Sequence, residues 1–253
     1  TKPSAIIHLA AQPLVLKSYG NPLETFQVNA LGTANVLEVA QKNSFIKAFI
    51  AVTTDKVYRN KNLQIDFIES DPLEGHDPYS ASKVASEAAI SAWRKISQLN
   101  GGPNIVSVRA GNVIGGGDWA ENRLIPDLVK GFMNNSIINI RNPQSTRPWQ
   151  HVLDPISGYL LALEKLLNGS VIDSLNFGPV DESLSVAEVV KIATDIWPSK
   201  SKIEYGVNSN QAESKYLGLN PKKAIEILDW KPFWNQKESV KKSIEWWVNV
   251  ERK

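Results

Sequence analysis

The chain has 253 residues, and its 28 basic and 26 acidic side chains leave a formal net charge of only +2. That balance gives no reason to expect a nucleic-acid partner, and the length suffices for one large α/β domain or a domain with a smaller lobe. Cysteine is absent, which excludes disulfides and thiolate metal sites and favours a reducing cytoplasm. No apolar run reaches membrane-spanning length and no secretory signal is recognisable, so we expect no contact with a membrane.

Short apolar runs alternate with helical patterns along the whole chain. The predicted strands are 5–10, 48–52, 104–109, 137–141, 174–177 and 202–205. The predicted helices are 22–42, 78–99, 124–134, 154–168, 185–197, 221–228 and a last one from 235 onward. Strands that alternate with helices predict an α/β fold with a mainly parallel, doubly wound sheet.

Four of these helices carry recognisable start signals. Asn21 before Pro22 predicts an N-cap, and the pairs Asp77-Pro78 and Asp154-Pro155 predict caps of the same kind. Ser185 with Glu188 predicts a capping box. Gly115-Gly116-Gly117 has no Lys-Ser/Thr after it, so we interpret it as a tight turn rather than a P-loop.

Two neighbouring motifs suggest chemistry. Tyr79 and Lys83 are one helical turn apart, so the phenol and the ammonium lie on one face. A nearby positive charge lowers the pKa of a tyrosine and makes it a general base. Thr53-Thr54-Asp55-Lys56 ends a predicted strand, at the sheet edge where open α/β folds bind ligands. The alternatives are an exposed Tyr and Lys, and an ordinary Asp–Lys ion pair.

Four stretches resemble the extended short-chain dehydrogenase/reductases, the NAD-dependent epimerase/dehydratase family. They are 8–15 (HLAAQPLV), 75–80 (GHDPYS), 109–119 (RAGNVIGGGDW) and 146–152 (TRPWQHV). Within that family the last two are most similar to the enzymes that dehydrate CDP-glucose. The resemblance implies a Rossmann-like doubly wound parallel sheet with a smaller C-terminal lobe for the substrate. The chain starts at Thr1 and its only methionine is Met133, so we expect that the first strands and their Gly-rich loop are missing.

The same resemblance implies a division of the chain. Residues 1–115 and 150–180 would form the NAD-binding domain, and 116–149 and 181–253 the nucleotide-sugar lobe. Helices 22–42 and 78–99 would form the interface of a homodimer or homotetramer.

The resemblance also implies the reaction, a 4,6-dehydration of a nucleotide-linked glucose with NAD as a regenerated cofactor. Tyr79 would take the proton of the C4 hydroxyl, and Lys83 would keep Tyr79 in its phenolate form. Thr54 would form a hydrogen bond to the C4 oxygen. Asp55 would protonate the departing C6 hydroxyl, and Lys56 would remove the C5 proton. The expected product is CDP-4-keto-6-deoxyglucose, a precursor of deoxysugars.

Binding residues follow from the resemblance in the same way. For NAD we expect Leu9, Ala10, Ala11, Asn29, Thr53, Tyr79 and Lys83, although strand-end packing and a solvated Asn29 are the alternatives. For the diphosphate of the substrate we expect Asn112, Arg123, Arg141 and Arg147, since several cations around a diphosphate favour charge-assisted bonds. The three histidines are not at metal-ligand spacing, and we predict no metal.

Several other functions stay open. Related dehydratases that act on dTDP-glucose or UDP-N-acetylglucosamine, and epimerases of the same family, share the Tyr/Lys pair. Ser80-x-x-Lys83 also matches a penicillin-interacting motif, but Ser-Asp-Asn and Lys-Thr-Gly are absent from the sequence. A non-catalytic fragment that binds nucleotide sugars is the remaining alternative.

Overall fold

A computed structural model describes residues 1–61, 63–198, 200–206 and 216–251. The strands, in chain order, are β1 (Ala5–His8), β2 (Ala48–Val52), β3 (Asn104–Ala110), β4 (Val113–Ile114), β5 (Ile138–Arg141), β6 (Thr146–Arg147), β7 (Gln150–His151), β8 (Ser174–Phe177), β9 (Leu184–Ser185) and β10 (Ile203–Gly206). The α-helices are α1 (Val15–Gly20), α2 (Pro22–Phe26), α3 (Gly32–Lys42), α4 (Pro78–Asn100), α5 (Leu124–Met133), α6 (Leu153–Leu167), α7 (Val186–Ile196), α8 (Lys222–Leu228) and α9 (Gln236–Glu251).

The central sheet is parallel, with the strand order β1-β2-β3-β8. Successive side chains of a strand point to opposite faces. On β2, Phe49 and Ala51 therefore pack under α3 and α4, whereas Ala48 and Ile50 pack under α6. Helices on both faces explain why β2 is apolar throughout, and they confirm the predicted doubly wound parallel sheet.

A second core lies beyond the carboxyl ends of the sheet strands. Helices α5, α7 and α9 meet around Leu128, Val189 and Ile244. Beside this core, β5 pairs with β10 and β6 pairs with β9. Gly116 lies against the ring of Trp246 on α9, and a Cβ at this position would collide with the ring. Only glycine, which has no side chain, therefore fits here.

Helix α8 and Trp230 pack on the sheet together with α6, although both lie in the segment assigned to the lobe. The division of the chain into an NAD-binding domain and a nucleotide-sugar lobe stays a proposal, in which α8 is now assigned to the NAD-binding domain.

Helix α4 starts as its sequence predicts. Asp77 is the N-cap, and its Oδ1 accepts a hydrogen bond from the Ser80 N–H at 3.0 Å. The Ser80 hydroxyl accepts one from the Asp77 N–H at 3.0 Å, which completes a capping box, and Pro78 takes the first helical position. Ser185 and Glu188 form the other predicted box at the start of α7.

Two predicted caps are wrong. Asn21 precedes α2, but its side chain makes no capping hydrogen bond. Helix α6 begins at Leu153, one residue before Asp154, with Val152 at the cap. The Asp154 carboxyl instead accepts a hydrogen bond from the Phe233 N–H at 2.7 Å, so a distant loop replaces the local cap.

Other differences are smaller. Strand β1 ends at His8 rather than at residue 10, and α1 was not predicted. The helix predicted over 22–42 contains a π-helical segment, Gln27–Leu31, between α2 and α3. In the described ranges, no helix is both long and apolar enough to cross a membrane.

Candidate active site

A cleft of about 1080 Å³ opens at the carboxyl ends of β2 and β3 and extends to the second core. Eight of the nine predicted catalytic and substrate-binding residues line it, together with Thr53, which was predicted for the cofactor: Thr54, Asp55, Lys56, Tyr79, Asn112, Arg123, Arg141 and Arg147. The ninth, Lys83, is buried behind this lining. We call Thr53–Lys56 with Tyr79 the catalytic wall, and Asn112 with the three arginines the cationic wall. Residues far apart in the sequence therefore meet at one cavity.

Asp55–Val57 forms a 3-10 turn shortly after β2, with Thr54 as its N-cap. The Thr54 hydroxyl donates to Asp55 Oδ1 at 3.0 Å and accepts from the Lys56 N–H at 3.3 Å. Lys56 Nζ lies 4.0 Å from the same Asp55 oxygen and is 34% exposed as a side chain. The turn therefore presents a carboxyl and an amine side by side, as the proposed acid and base require.

The Asp55 carboxyl is buried against Gly111. Among the described residues its Oδ2 has no hydrogen-bond partner, and a Cβ on Gly111 would lie only 2.9 Å from it. Any side chain at position 111 would displace the carboxyl. A buried acceptor without a partner is costly unless a ligand supplies the donor.

Tyr79 lies on the first turn of α4 and is 7% exposed. Burial raises the pKa of Tyr79 to about 12, and the Asp55 charge adds to this rise, while the Thr54 side chain and Arg123 act against it. The predicted lowering of the phenol pKa by Lys83 is therefore wrong for this arrangement. Lys83 Nζ donates instead to the carbonyl of Val52 at 3.2 Å.

Lys83 is buried below the catalytic wall. Burial lowers the pKa of Lys83 to about 8, and the negative charge of Glu87 opposes that fall. The pKa of His8, at the end of β1, is lowered by burial and by the Lys83 charge. The site therefore holds an ammonium that titrates close to neutral pH.

The cationic wall is built more loosely. Arg123 Nη1 lies 3.7 Å from Asp118 Oδ2, and both side chains are more than one-third exposed. Arg147 is buried and donates to the carbonyl of Thr146 at 2.7 Å, while Arg141 and Asn112 are half-buried. Three guanidinium groups along one wall suit a diphosphate.

The other predicted cofactor residues lie beside the cleft, around the end of β1. Leu9 is 57% exposed and Ala10 is exposed, so an apolar ring could lie against them. Ala11 is half-buried. Asn29 is 1% exposed, so the alternative of a solvated side chain is wrong.

The Asn29 amide is engaged within the protein. It accepts from the Gln12 N–H at 2.8 Å and donates to Ser82 Oγ at 2.9 Å. It thereby fastens the loop after β1 to α4. Its predicted contact with the cofactor stays a prediction.

Sequence reasoning missed two features of the site. Ser18 on α1 accepts a hydrogen bond from the Tyr79 N–H at 3.1 Å and so fixes the first turn of α4. Glu87 and Arg109 form a buried ion pair with an Oε1–Nε distance of 2.8 Å. The one available signal was that Glu87 follows Lys83 by four residues, a spacing at which helical side chains are neighbours.

The residues present fit the nicotinamide ribose of NAD. An ammonium carries three donors, and the bond of Lys83 to Val52 uses one of them. The exposed Leu9 and Ala10 leave the end of β1 open beside it. Within the part of the chain that the structure describes, no three His, Asp or Glu side chains are grouped to hold a metal ion.

Solved structures of known proteins share this fold. UDP-glucose 4-epimerase of Thermotoga maritima, solved with UDP-glucose, superposes with a TM-score of 0.87 at 22% identity, over 99% of this chain and 79% of that one. A dTDP-glucose 4,6-dehydratase of Bacillus anthracis, solved with NAD, gives a TM-score of 0.81 at 24% identity, over 98% and 74% of the two chains.

Curated relatives are closer in sequence. CDP-glucose 4,6-dehydratase of Salmonella typhimurium is 40% identical over 99% of this chain and 73% of its own length. Human dTDP-D-glucose 4,6-dehydratase is 27% identical over 98% and 71% of the two chains. The family model described as GDP-mannose 4,6 dehydratase matches residues 1–243. With nearly its whole length matched, the chain belongs to the GDP-mannose 4,6-dehydratase family.

Proposed function

We propose that this protein is an NAD-dependent lyase that converts CDP-glucose to CDP-4-keto-6-deoxyglucose. The observation that carries the proposal is the catalytic wall, where Asp55, Lys56 and Tyr79 line one cleft large enough for a nucleotide sugar. The 40% identity with a CDP-glucose 4,6-dehydratase favours cytidine as the base. Such a product serves deoxysugar and surface polysaccharide synthesis, and we place the enzyme in the cytoplasm with its cofactor.

The cofactor is NAD, which when bound supplies the hydride acceptor for C4, the hydride donor for C6 and a positive charge in the cleft. Lys83 would bind the nicotinamide ribose with the N–H donors that are not bonded to Val52. Leu9, Ala10 and Ala11 would contact the cofactor at the end of β1. Thr53 would border it at the end of β2. Asn29 would keep the loop after β1 in place through its bonds to Gln12.

Oxidation at C4 is the part of the reaction assigned to Tyr79. The phenol oxygen takes the proton of the C4 hydroxyl, and the Thr54 hydroxyl bonds the same substrate oxygen. Burial raises the pKa of Tyr79 to about 12. Formation of the phenolate therefore requires that the complex bring additional positive charge close to the phenol oxygen. Arg123 is a protein cation whose charge already acts to lower the pKa of Tyr79.

Elimination of water is assigned to the turn. The C4 ketone acidifies the C5 proton, because the carbanion is delocalised as an enolate. Lys56 takes that proton as the base, and Asp55 as the acid gives one to the departing C6 hydroxyl, which leaves as water. Their separation of 4.0 Å lets the two groups work on adjacent carbons of one hexose.

Binding of the nucleotide is assigned to the cationic wall. Asn112, Arg123, Arg141 and Arg147 would bind the diphosphate by charge-assisted hydrogen bonds. With the diphosphate bound there, the hexose would lie at the catalytic wall, because both walls line the same cleft.

We further propose a homodimer or homotetramer through helices 22–42 and 78–99. Large apolar side chains are exposed on them, with Leu23 and Leu99 each 71% exposed and Leu31 56%. Exposed apolar patches of this kind mark association surfaces. Light scattering should give a multimer for the wild type and a smaller species for Leu31→Glu combined with Leu99→Glu.

The function is tested by offering nucleotide sugars one at a time. The purified protein is incubated with NAD and CDP-glucose, dTDP-glucose, UDP-glucose or UDP-N-acetylglucosamine, and the product is read by mass spectrometry as the loss of one water. CDP-glucose should give the highest kcat/KM. Preference for another nucleotide would overturn the choice of base, and an isomer of unchanged mass would indicate an epimerase.

A further inference from the structure

Glu87 is a buried carboxylate to which the proposed reaction gives no role. It lies on α4 one turn after Lys83 and is 6% exposed. Its Oε1 accepts hydrogen bonds from Thr53 Oγ1 at 2.6 Å and from Arg109 Nε at 2.8 Å. Its Oε2 accepts one from Arg109 Nη2 at 3.0 Å. Glu87 therefore joins α4 to the end of β2 and to β3.

The partner of Glu87 is itself held in place. Arg109 Nη1 donates to the Tyr58 hydroxyl at 2.9 Å, and that hydroxyl donates to Asn176 Oδ1 on β8 at 2.7 Å. The guanidinium also lies over the Tyr58 ring, 5.0 Å from its centroid. Because each group is fixed by the next, the carboxylate has one position rather than a choice of rotamers.

The bond to Thr53 reaches the catalytic wall. Thr53 immediately precedes the turn that carries Asp55 and Lys56, and its own N–H donates to the carbonyl of Val108 at 2.8 Å. With the backbone bound to β3 and the side chain bound to α4, the start of the turn is fixed on two sides. The same helix α4 carries Tyr79.

We propose that Glu87 is a positioning residue for the dehydration: it holds the Thr53–Lys56 turn in register with Tyr79 and supplies the negative charge that faces Lys83. The inference rests on the proposed function, but its physical content concerns groups within this chain.

The charge of Glu87 matters because Lys83 titrates near neutral pH. Burial acts to raise the pKa of Glu87, but the hydrogen bonds and the charge of Arg109 keep it below its usual value. The Glu87 carboxylate therefore stays ionised. Burial lowers the pKa of Lys83 to about 8, and Glu87 opposes that fall. The other groups around Lys83 are His8 on β1, Tyr79 on α4 and, paired with Glu87, Arg109 on β3.

The first test is Glu87→Gln, an isosteric change that keeps an oxygen for Thr53 and removes the charge. Lys83 is followed without cofactor by its ¹³Cε NMR shift against pH, assigned with Lys83→Arg. We expect its titration to move down by about one pH unit, and the alkaline limb of kcat/KM to move with it. An unchanged Lys83 titration would overturn the electrostatic role.

The second test guards against misfolding, because Glu87→Gln leaves the buried Arg109 without a counter-charge. The double variant Glu87→Gln with Arg109→Met removes both charges and should fold, with a smaller downward shift of Lys83, because the loss of the Arg109 cation offsets part of the effect. Thr53→Val leaves the ion pair intact and removes only the hydroxyl, with its short hydrogen bond to Glu87 and its long one to the carbonyl of Val108. It should lower kcat about tenfold while the Lys83 titration and the KM for the nucleotide sugar stay the same.

An unchanged kcat in Thr53→Val would overturn the positioning role. A wild-type protein that dehydrates no nucleotide sugar would instead refute the proposed function. The titration of Lys83 would still decide whether Glu87 controls its charge, so the two failures are distinguishable.

Discussion

The catalytic wall and the cationic wall face the same cleft but differ in how firmly they are held. In the catalytic wall, Thr54, Asp55 and Tyr79 are buried, and hydrogen bonds fix the turn. In the cationic wall, Arg123 is 38% exposed as a side chain and lies 3.7 Å from Asp118, too far for a strong bond. Under the proposed function, the groups that face the hexose are therefore held in place before the ligand arrives, while the Arg123 side chain can adjust to the diphosphate.

This difference matches what each end has to do. Proton transfers need donors and acceptors placed to within a fraction of an ångström, and such placement comes from buried, bonded groups. Binding of a diphosphate needs charge more than exact position, because its oxygens accept bonds from several directions. Substitutions in the catalytic wall should therefore affect kcat, and those in the cationic wall should affect KM.

The largest effect is expected for Tyr79→Phe. The variant keeps the ring that fills the buried site and loses the oxygen that accepts the C4 proton, so kcat should fall about 10³-fold. Formation of the 4-keto product measures this, with Tyr205→Phe, 54% exposed on β10, as the matched control. A variant with near-normal turnover would remove Tyr79 from the oxidation.

A smaller but more diagnostic effect is expected for Lys56→Met. The substitution keeps the length of the side chain and removes the base, so a 4-keto sugar should still form while loss of water slows about 10²-fold. Incorporation of solvent deuterium at C5 should fall with it. The exposed Lys95→Met serves as control, and unchanged exchange at C5 would show that another group takes the proton.

The fold was predictable where local signals agreed with tertiary packing. The apolar run of β2 and the Asp77-Pro78 start of α4 lie as expected, because each is satisfied by neighbours in the sequence or by burial on both faces. Asp154-Pro155 has the same local signal and a different outcome. Its carboxyl bonds to the Phe233 N–H, 79 residues away, which no local pattern contains.

The candidate site also has parts that could be predicted from the sequence and parts that could not. That Asp55, Lys56 and Tyr79 share one cleft could be predicted, because they lie in two short stretches with recognisable spacing. The direction of the Tyr79 pKa could not, since it depends on how deeply α4 buries the phenol and on Lys83 bonding to Val52. The pair of Glu87 with Arg109 was out of reach because 22 residues separate its members.

The cationic wall gives the third prediction. Arg147→Ala should raise the KM for CDP-glucose about tenfold and change kcat much less, because a charge-assisted bond to the diphosphate is lost in the ground state and the transition state alike. Initial rates over a range of substrate concentrations measure both constants. Arg59→Ala, which removes an exposed guanidinium paired with Glu74, is the control. An unaltered KM would count against contact between Arg147 and the diphosphate.

The smallest effect concerns Asp154, a fully buried carboxyl outside both walls, whose Oδ2 has no hydrogen-bond partner in the described part of the chain. Burial raises the pKa of Asp154 above its usual value, so folding binds a proton. The contribution of this group is therefore greatest below the pKa of the unfolded chain and is lost as pH rises through the folded pKa.

Asp154→Asn keeps an oxygen for the Phe233 N–H and cannot ionise. Between about pH 4, near the pKa of an aspartate in an unfolded chain, and neutral pH, the wild type should lose more of its Tm than the variant. Thermal unfolding across that range measures the difference, with the exposed Asp195→Asn as control. Turnover at neutral pH should stay close to that of the wild type, because Asp154 lines neither wall. Parallel pH slopes in the two proteins would mean that Asp154 keeps its charge in the folded state, held there by the backbone N–H of Phe233.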